Sequence, residues 1–256
     1  MLAYLAGTAV LIVAGFVYFR KVAKLSAVQS VFHVMGIACS NSGFVGYPIL
    51  LLTFAPIAGM AVGLDMLLEN LIIIPILLLL AERAQGHATP RHALATDAGA
   101  NFGQTHPQPD DYCLAGWFCS LALGFAFAYT CGTCSQFICR VQRSNFVVCD
   151  RRTLTGLAFD GVLPKIWPIV VGKLVLHPVC VWLALLLLTG LGFAELNGPL
   201  KTSAVLMAAT PMMGTYPILA QAYGQEELSA AALLLATPQS FFSISTLLWA
   251  FHSLPM

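Results

Sequence analysis

Ser40-Asn41-Ser42-Gly43-Phe44-Val45-Gly46-Tyr47-Pro48-Ile49-Leu50 lies inside an apolar run, and its last four residues return as Tyr216-Pro217-Ile218-Leu219 in a second one. The approaches are alike: Ser42-Gly43-Phe44-Val45-Gly46 precedes the first copy and Met212-Met213-Gly214-Thr215 the second. Proline within a helix removes a hydrogen bond and clashes with the carbonyl one turn back, so backbone groups are freed. In lipid such groups persist only where protein or a water-filled cavity receives them. Two Gly/Pro-interrupted apolar segments in corresponding places of two halves point to the binding site of a secondary transporter. The competing explanation is chance, since Leu, Ile and Pro are common here. The shared membrane context, and the shared distance to the next span, argue against it.

Composition sets the class. Apolar residues make up 59% of the chain and charged ones 9%, with mean hydropathy +0.83. A soluble domain carries roughly 25% charged residues, so this chain cannot cover a water-facing surface and reads as an integral membrane protein with the lipid bilayer as its partner; a multi-pass place in the cell (inner or plasma) membrane is the expected location. A net charge of +1 gives no electrostatic case for nucleic acid.

Apolar runs of about 20 residues cross the hydrocarbon core. They are expected at Met1 to Phe19, Phe32 to Phe54, Ile57 to Ala81, Ile166 to Leu191, Ser203 to Tyr223 and Leu228 to His252, with a weaker one at Tyr112 to Tyr129. All must be helical, because an open sheet edge cannot face lipid. Arg20, Lys21 and Lys24 place the first loop inside, and two further crossings put Arg83 and Arg91 on the same side. The chain therefore starts outside. Met1 to Phe19 has no basic residue before its apolar run, which favours a span over a signal peptide.

The segment Ser40 to Ile49 resembles the Ser-Asn-Ser-Gly-Phe-x-Gly-x-Pro motif of the auxin efflux carrier family, nearest its bacterial malonate-transporter-like members. Leu68-Glu69-Asn70-Leu71-Ile72-Ile73-Ile74-Pro75 is similar to the family's next helix. Ala209-Thr210-Pro211 through Tyr216-Pro217, then Ala220-Gln221-Ala222-Tyr223-Gly224, is similar to its second broken helix. The resemblance covers 1–84 and about 153–256. It implies an all-α, polytopic helix bundle: an incomplete version of a ten-helix fold in two inverted five-helix repeats, with broken crossover helices at 32–54 and 203–223. It also implies a homodimer. The chain begins at what looks like the family's third helix. Residues 1–84 would then be the rest of the first repeat and 153–256 the second.

Residues 85–152 depart from that pattern. They hold Cys113, Cys119, Cys131, Cys134, Cys139 and Cys149, with Arg140, Arg143, Asp150, Arg151 and Arg152 where a helix is due. Cys131-x-x-Cys134 has zinc-ligand spacing, but no second paired Cys-x-x-Cys completes a site, so no metal is expected. Back-translated and read one base later, Asn101 to Tyr112 can give an apolar segment with an Asn-Pro, and Phe146 to Arg152 can give Ser-Phe-Val-Ile-Gly-Gly. Both resemble family helices, and the family pattern resumes at Thr153-Leu154-Thr155-Gly156-Leu157. Two compensating frame changes are therefore expected to bracket the stretch. As printed, its charges at a helix centre would each cost about 2.5–3.5 kcal/mol, which predicts poor packing or a place outside the bilayer.

The candidate substrate-binding residues are Ser40, Asn41 and Ser42 at the first break, and Thr210, Thr215, Tyr216 and Gln221 at the second. Their hydroxyls and amides, with half-helix N-termini, suit a small carboxylate without a buried arginine. Gly43, Gly46, Tyr47, Pro48, Pro211, Gly214 and Pro217 are the candidate crossover and hinge positions. Polar residues capping a kinked helix, or packing in an interfacial belt, are the ordinary alternative. Glu69 lies near mid-span, where an ionisable group is costly and by default functional. With Asn70 it is the candidate coupling-ion site, for a proton or a sodium ion, and Asp65 shares its face one turn earlier. Lys173 and His177 lie one turn apart in a later span and could supply a partner for Glu69 or the positive charge that attracts an anion; for Lys173 snorkelling to the surface is the favoured reading, and His177-Pro178 could equally mark only a kink.

No Gly-x-Ser-x-Gly, His-Glu-x-x-His or Walker loop occurs in the chain, so neither enzymatic activity nor a cofactor is expected. Without a nucleotide site, transport would run on gradients. The leading expectation is a permease for small organic anions such as malonate or other carboxylates, working by alternating access at the crossed helices. The alternative is a truncated, frameshifted remnant of such a carrier that moves nothing.

Overall fold

The computed structural model describes residues 2–86, 163–192 and 198–253. The cysteine-rich stretch, the weak span Tyr112 to Tyr129 and the expected packing of 90–152 lie outside the described residues. Every described element is a helix, joined by turns and short extended links. The elements are α1 (Leu2–Val22), α2 (Ala27–Ala38), α3 (Ser42–Thr53), α4 (Ala55–Gln85), α5 (Pro164–Gly190), α6 (Gly198–Ala208), α7 (Tyr216–Gln221) and α8 (Glu226–Ser253). Of these, α1, α4, α5 and α8 are long and apolar enough to cross a membrane. The chain is a membrane protein with a helix-bundle architecture.

Local chemistry explains most boundaries. At the end of α1, Arg20 Nη1 donates to Leu25 O at 3.0 Å, and Lys24 takes a left-handed φ of 54° as the chain turns back. Ser26 then caps α2 in a reciprocal box: its Oγ accepts from Gln29 N and its own N–H donates to Gln29 Oε1, both at 3.2 Å. Pro56 and Pro217 occupy first-turn positions of α4 and α7, where their missing N–H costs nothing. Glu226 and Glu227 open α8 at the positive end of its dipole.

The expected breaks shift along the chain. Neither proline of the repeated Tyr-Pro sits in a gap: Pro217 stands in the first turn of α7, and Pro48 lies inside α3 just after its opening wide turn. The unwound residues lie earlier, at Cys39 to Asn41 and at Ala209 to Thr215. The physical reason is that proline is tolerated where its N–H has no partner, as at Pro217, or where a widened turn spares the ring its clash, as at Pro48, so each Pro lies in the second half-helix and not in the gap. The capping Asn41 ends the first gap, its Oδ1 accepting from Phe44 N at 3.3 Å.

Proline also widens the helices. Wide, i→i+5 turns span Ser42–Gly46, Glu69–Ile73 and Gly172–Leu176. Each is followed by one residue and then a proline: Pro48, Pro75 and Pro178. In each case the residue before proline donates to the carbonyl five back, as Ile74 N does to Glu69 O. The extra residue in the turn relieves the clash that the ring would make with the carbonyl four back.

In lipid, helices associate by close packing rather than by exclusion of water, so small residues mark their contacts. α1 runs along α5 with Gly7 against its backbone; a Cβ there would lie 2.8 Å from Val181 Cα. Gly46 of α3 receives Met207 of α6, whose sulfur would be 2.6 Å from such an atom. α2 is buried along most of its length and packs on α1, α4 and α5. The described residues form one compact unit, with Phe32, Met35, Ile166, Ile169, Leu206, Met207 and Tyr216 at its centre.

Candidate functional site

The two unwound links meet. Ser40 and Met212 form an antiparallel bridge, and Asn41 N donates to Pro211 O at 2.8 Å. Each link thus receives backbone groups that the other has freed, which is what hydrocarbon surroundings require. Ser42 Oγ donates to Asp65 Oδ2, tying the start of α3 to α4.

A chain of buried polar groups radiates from Ser40. Its N–H and the Tyr4 hydroxyl both donate to Glu69 Oε1, at 2.8 and 2.9 Å. Tyr4 Oη is also 3.1 Å from Ser40 Oγ. On the other side Lys173 Nζ donates to Ser40 Oγ at 2.6 Å and lies 3.0 Å from His177 Nδ1. His177 Nε2 in turn lies 3.0 Å from Thr8 Oγ1. An ammonium has only donors, so Nδ1 accepts and the ring proton sits on Nε2, directed at Thr8. These residues come from α1, the α2–α3 link, α4 and α5, and none has more than slight exposure: Lys173 and His177 are at 0%, Glu69 at 4% and Asp65 at 6%. Buried charges must be paired and hydrogen-bonded, and here Ser40 is the relay between carboxylate and ammonium.

Lys173 is the main correction to the sequence reading. It does not snorkel. It points inward from the wide turn of α5, at the level of the unwound links. His177, left open between a partner in the site and a kink marker, precedes Pro178 and extends the polar chain beside Lys173. Asn70 Nδ2 donates to Met66 O of its own helix at 2.8 Å.

The other candidates divide. Ser40, Ser42, Glu69 and the Pro211 carbonyl converge at the crossing. Asn41 is half-buried there, with its backbone N–H on Pro211 and its side chain on the α3 cap. Thr210 is buried but bonds its own chain, at Met207 O. Tyr216 is fully buried, and its hydroxyl donates to Phe32 O at 2.7 Å, locking α7 to α2. Thr215 and Gly214 are half-buried in the second link, and Thr215 makes no side-chain cap. Pro217 is buried in the first turn of α7, whereas Tyr47 and Pro48 are exposed on α3. Gly43 lies beside Met66, and Gly46 beside Met207. Gln221 is exposed at the far end of α7, away from the crossing. Sequence reading missed Tyr4 and Thr8. The available signal was their one-turn spacing in an otherwise apolar helix, matched by the one-turn spacing of Lys173 and His177.

Among the described residues no group of three His, Cys, Asp or Glu side chains is placed to hold a metal ion. Searches against family models, curated proteins and solved structures find no match to this chain.

Proposed function

We propose that the chain is a secondary transporter of small organic anions, of which malonate and related carboxylates are the first candidates. The observation that carries this reading is the crossing of two unwound links over a buried, hydrogen-bonded Glu69–Ser40–Lys173 chain. Unwound helices at one level, with ionisable groups beside them, are how transporters build midplane sites. Ser40, Asn41 and Ser42 offer hydroxyls, an amide and the N-terminus of α3, and Lys173 supplies a positive charge within reach of Ser40. The resemblance to the auxin efflux carrier family supports the same reading, with two inverted repeats, a homodimer and an inner or plasma membrane location. In it Glu69 serves the coupling ion. The chain acts as a permease rather than an enzyme, and access alternates by movement about the crossing. The second reading, a remnant that inserts without transporting, is favoured by the anomalous run of Cys and Arg over 113–152.

Uptake of labelled malonate into vesicles holding the full chain decides between them. Asn41→Ala and Glu69→Gln are each expected to lower uptake at least tenfold, about 1.4 kcal/mol in the limiting step. Wild-type rates in both variants would remove these residues from the site. No uptake by the unaltered chain would favour the remnant.

A further inference from the structure

We infer that Glu69 is the site of a single exchangeable proton, with Lys173 as its internal counter-charge through Ser40, and that the site takes a proton rather than a sodium ion. The inference deepens the transport reading above and rests on it for its physiological meaning.

The first ground is charge balance. The cluster buries two carboxylates, Asp65 and Glu69, against one ammonium, Lys173. Among the described residues the other titratable groups facing it are Tyr4 from α1, Cys39 from the α2–α3 link and His177 from α5, all buried, and the charge of the chain's N-terminus acts on Asp65 alone. His177 is neutral when its Nδ1 accepts from Lys173. Fully ionised, the cluster carries one uncompensated negative charge, which a buried site does not tolerate. One added positive charge closes the sum.

The second ground is the kind of atom presented. A hard cation needs several oxygen acceptors converging on one point. Around Glu69 Oε1 stand two donors, the Ser40 N–H and the Tyr4 hydroxyl. The Ser40 hydroxyl oxygen is taken by Lys173, and the carbonyl of Pro211, the acceptor at the crossing, by Asn41 N–H. A sodium ion would meet donors and an ammonium. A proton needs one free oxygen lone pair, and both hydrogen bonds to Glu69 described here go to Oε1, leaving Oε2 to carry it.

The third ground is position. Asp65 has its own partner in Ser42. Glu69 begins the wide turn of α4 and bonds directly to the unwound link. Protonating Glu69 leaves Asp65 and Lys173 as a balanced pair and removes the negative charge that bonds to Ser40, which lowers the repulsion against an anion arriving there. Proton and anion would bind together at one crossing.

Infrared difference spectroscopy on the lipid-reconstituted full chain tests this without any substrate. Between about pH 5 and about pH 9, a range above ordinary carboxyl titration that spans that of imidazole, the carbonyl stretch of a buried protonated carboxyl is expected to grow as pH falls. It should vanish in Glu69→Gln, move to lower pH at unchanged frequency in Asp65→Asn, and be unmoved when choline replaces sodium. In Lys173→Met it should persist to higher pH. No such band in the wild type, its persistence in Glu69→Gln, or its removal by sodium at fixed pH would each overturn the proposal. The wild-type titration and the sodium comparison hold even if a variant fails to fold. The transport reading fails separately: an intact band without malonate uptake sinks transport and leaves the proton site, and uptake without the band does the reverse.

Discussion

Lys173 carries a full charge in the middle of a long apolar helix, with no exposure and, among the described residues, Ser40 and His177 as its hydrogen-bond partners. Removing it leaves Asp65 and Glu69 without a counter-charge. Lys173→Met is therefore expected to destabilise the fold by about 3–5 kcal/mol, the usual cost of breaking a buried ionic arrangement from one side. Adding Glu69→Gln should recover part of the loss, so that the double variant is more stable than the two single effects predict. Thermal unfolding in detergent gives both values, and strict additivity would mean that Ser40 does not relay charge between them. Half of this arrangement was legible in the sequence. Glu69 and Asp65 stand out because carboxylates inside a span are rare. Lys173 was legible as one possible partner but read first as snorkelling, because a long basic side chain usually escapes to the surface, and what holds it inward comes from residues far away in the chain. Tyr4 and Thr8 were hidden for the same reason: a hydroxyl in an apolar helix has no partner until tertiary structure supplies one.

The helices themselves follow the apolar runs closely, since length and composition decide what can cross lipid. Their interruptions do not follow the prolines in the simplest way. Pro48, Pro75 and Pro178 each sit two residues past a wide turn, and two of those turns present Glu69 and Lys173 to the site. The wide turn adds a residue, so side chains before and after it are offset by about 100° relative to an unbroken α-helix. Replacing proline with alanine restores an N–H that can bond four back, and the turn is then free to tighten. Pro178→Ala is expected to rotate Lys173 out of line with Ser40 while leaving total helicity unchanged. Circular dichroism should match the wild type, and malonate uptake should fall at least tenfold. Unaltered uptake would show that packing of α5 against α1 and α8, rather than proline, sets the direction of Lys173. The true gaps at Cys39 to Asn41 and Ala209 to Thr215 depend on each other. Neither segment alone contains the partner for its freed backbone groups, so the sequence gives the neighbourhood of the crossing but not its register.

Across the molecule, the order of elements constrains which ends share a side of the membrane. α1 ends among Arg20, Lys21 and Lys24, and α2 with α3 leads away from that end as one interrupted path. α4 follows directly after Phe54, where φ of −139° and ψ of 51° break the helix, and ends near Arg83. If α2 and α3 together cross once and α4 crosses back, Lys24 and Arg83 lie on the same side, which the excess of basic residues assigns to the cytoplasm. The path fixes parity alone; the basic residues choose the side. Cysteine introduced at Lys24 or at Arg83 is thus expected to resist a membrane-impermeant maleimide in intact cells and to react in both cases once the membrane is opened. Native Cys39 is buried and contributes little background, and the remaining native cysteines are controlled by the unaltered chain. Labelling of both positions in intact cells would invert the whole molecule and keep the parity. Labelling of only one would break the parity itself, and with it the reading of α2 and α3 as two halves of one interrupted span meeting α6 and α7 at Ser40 and Met212.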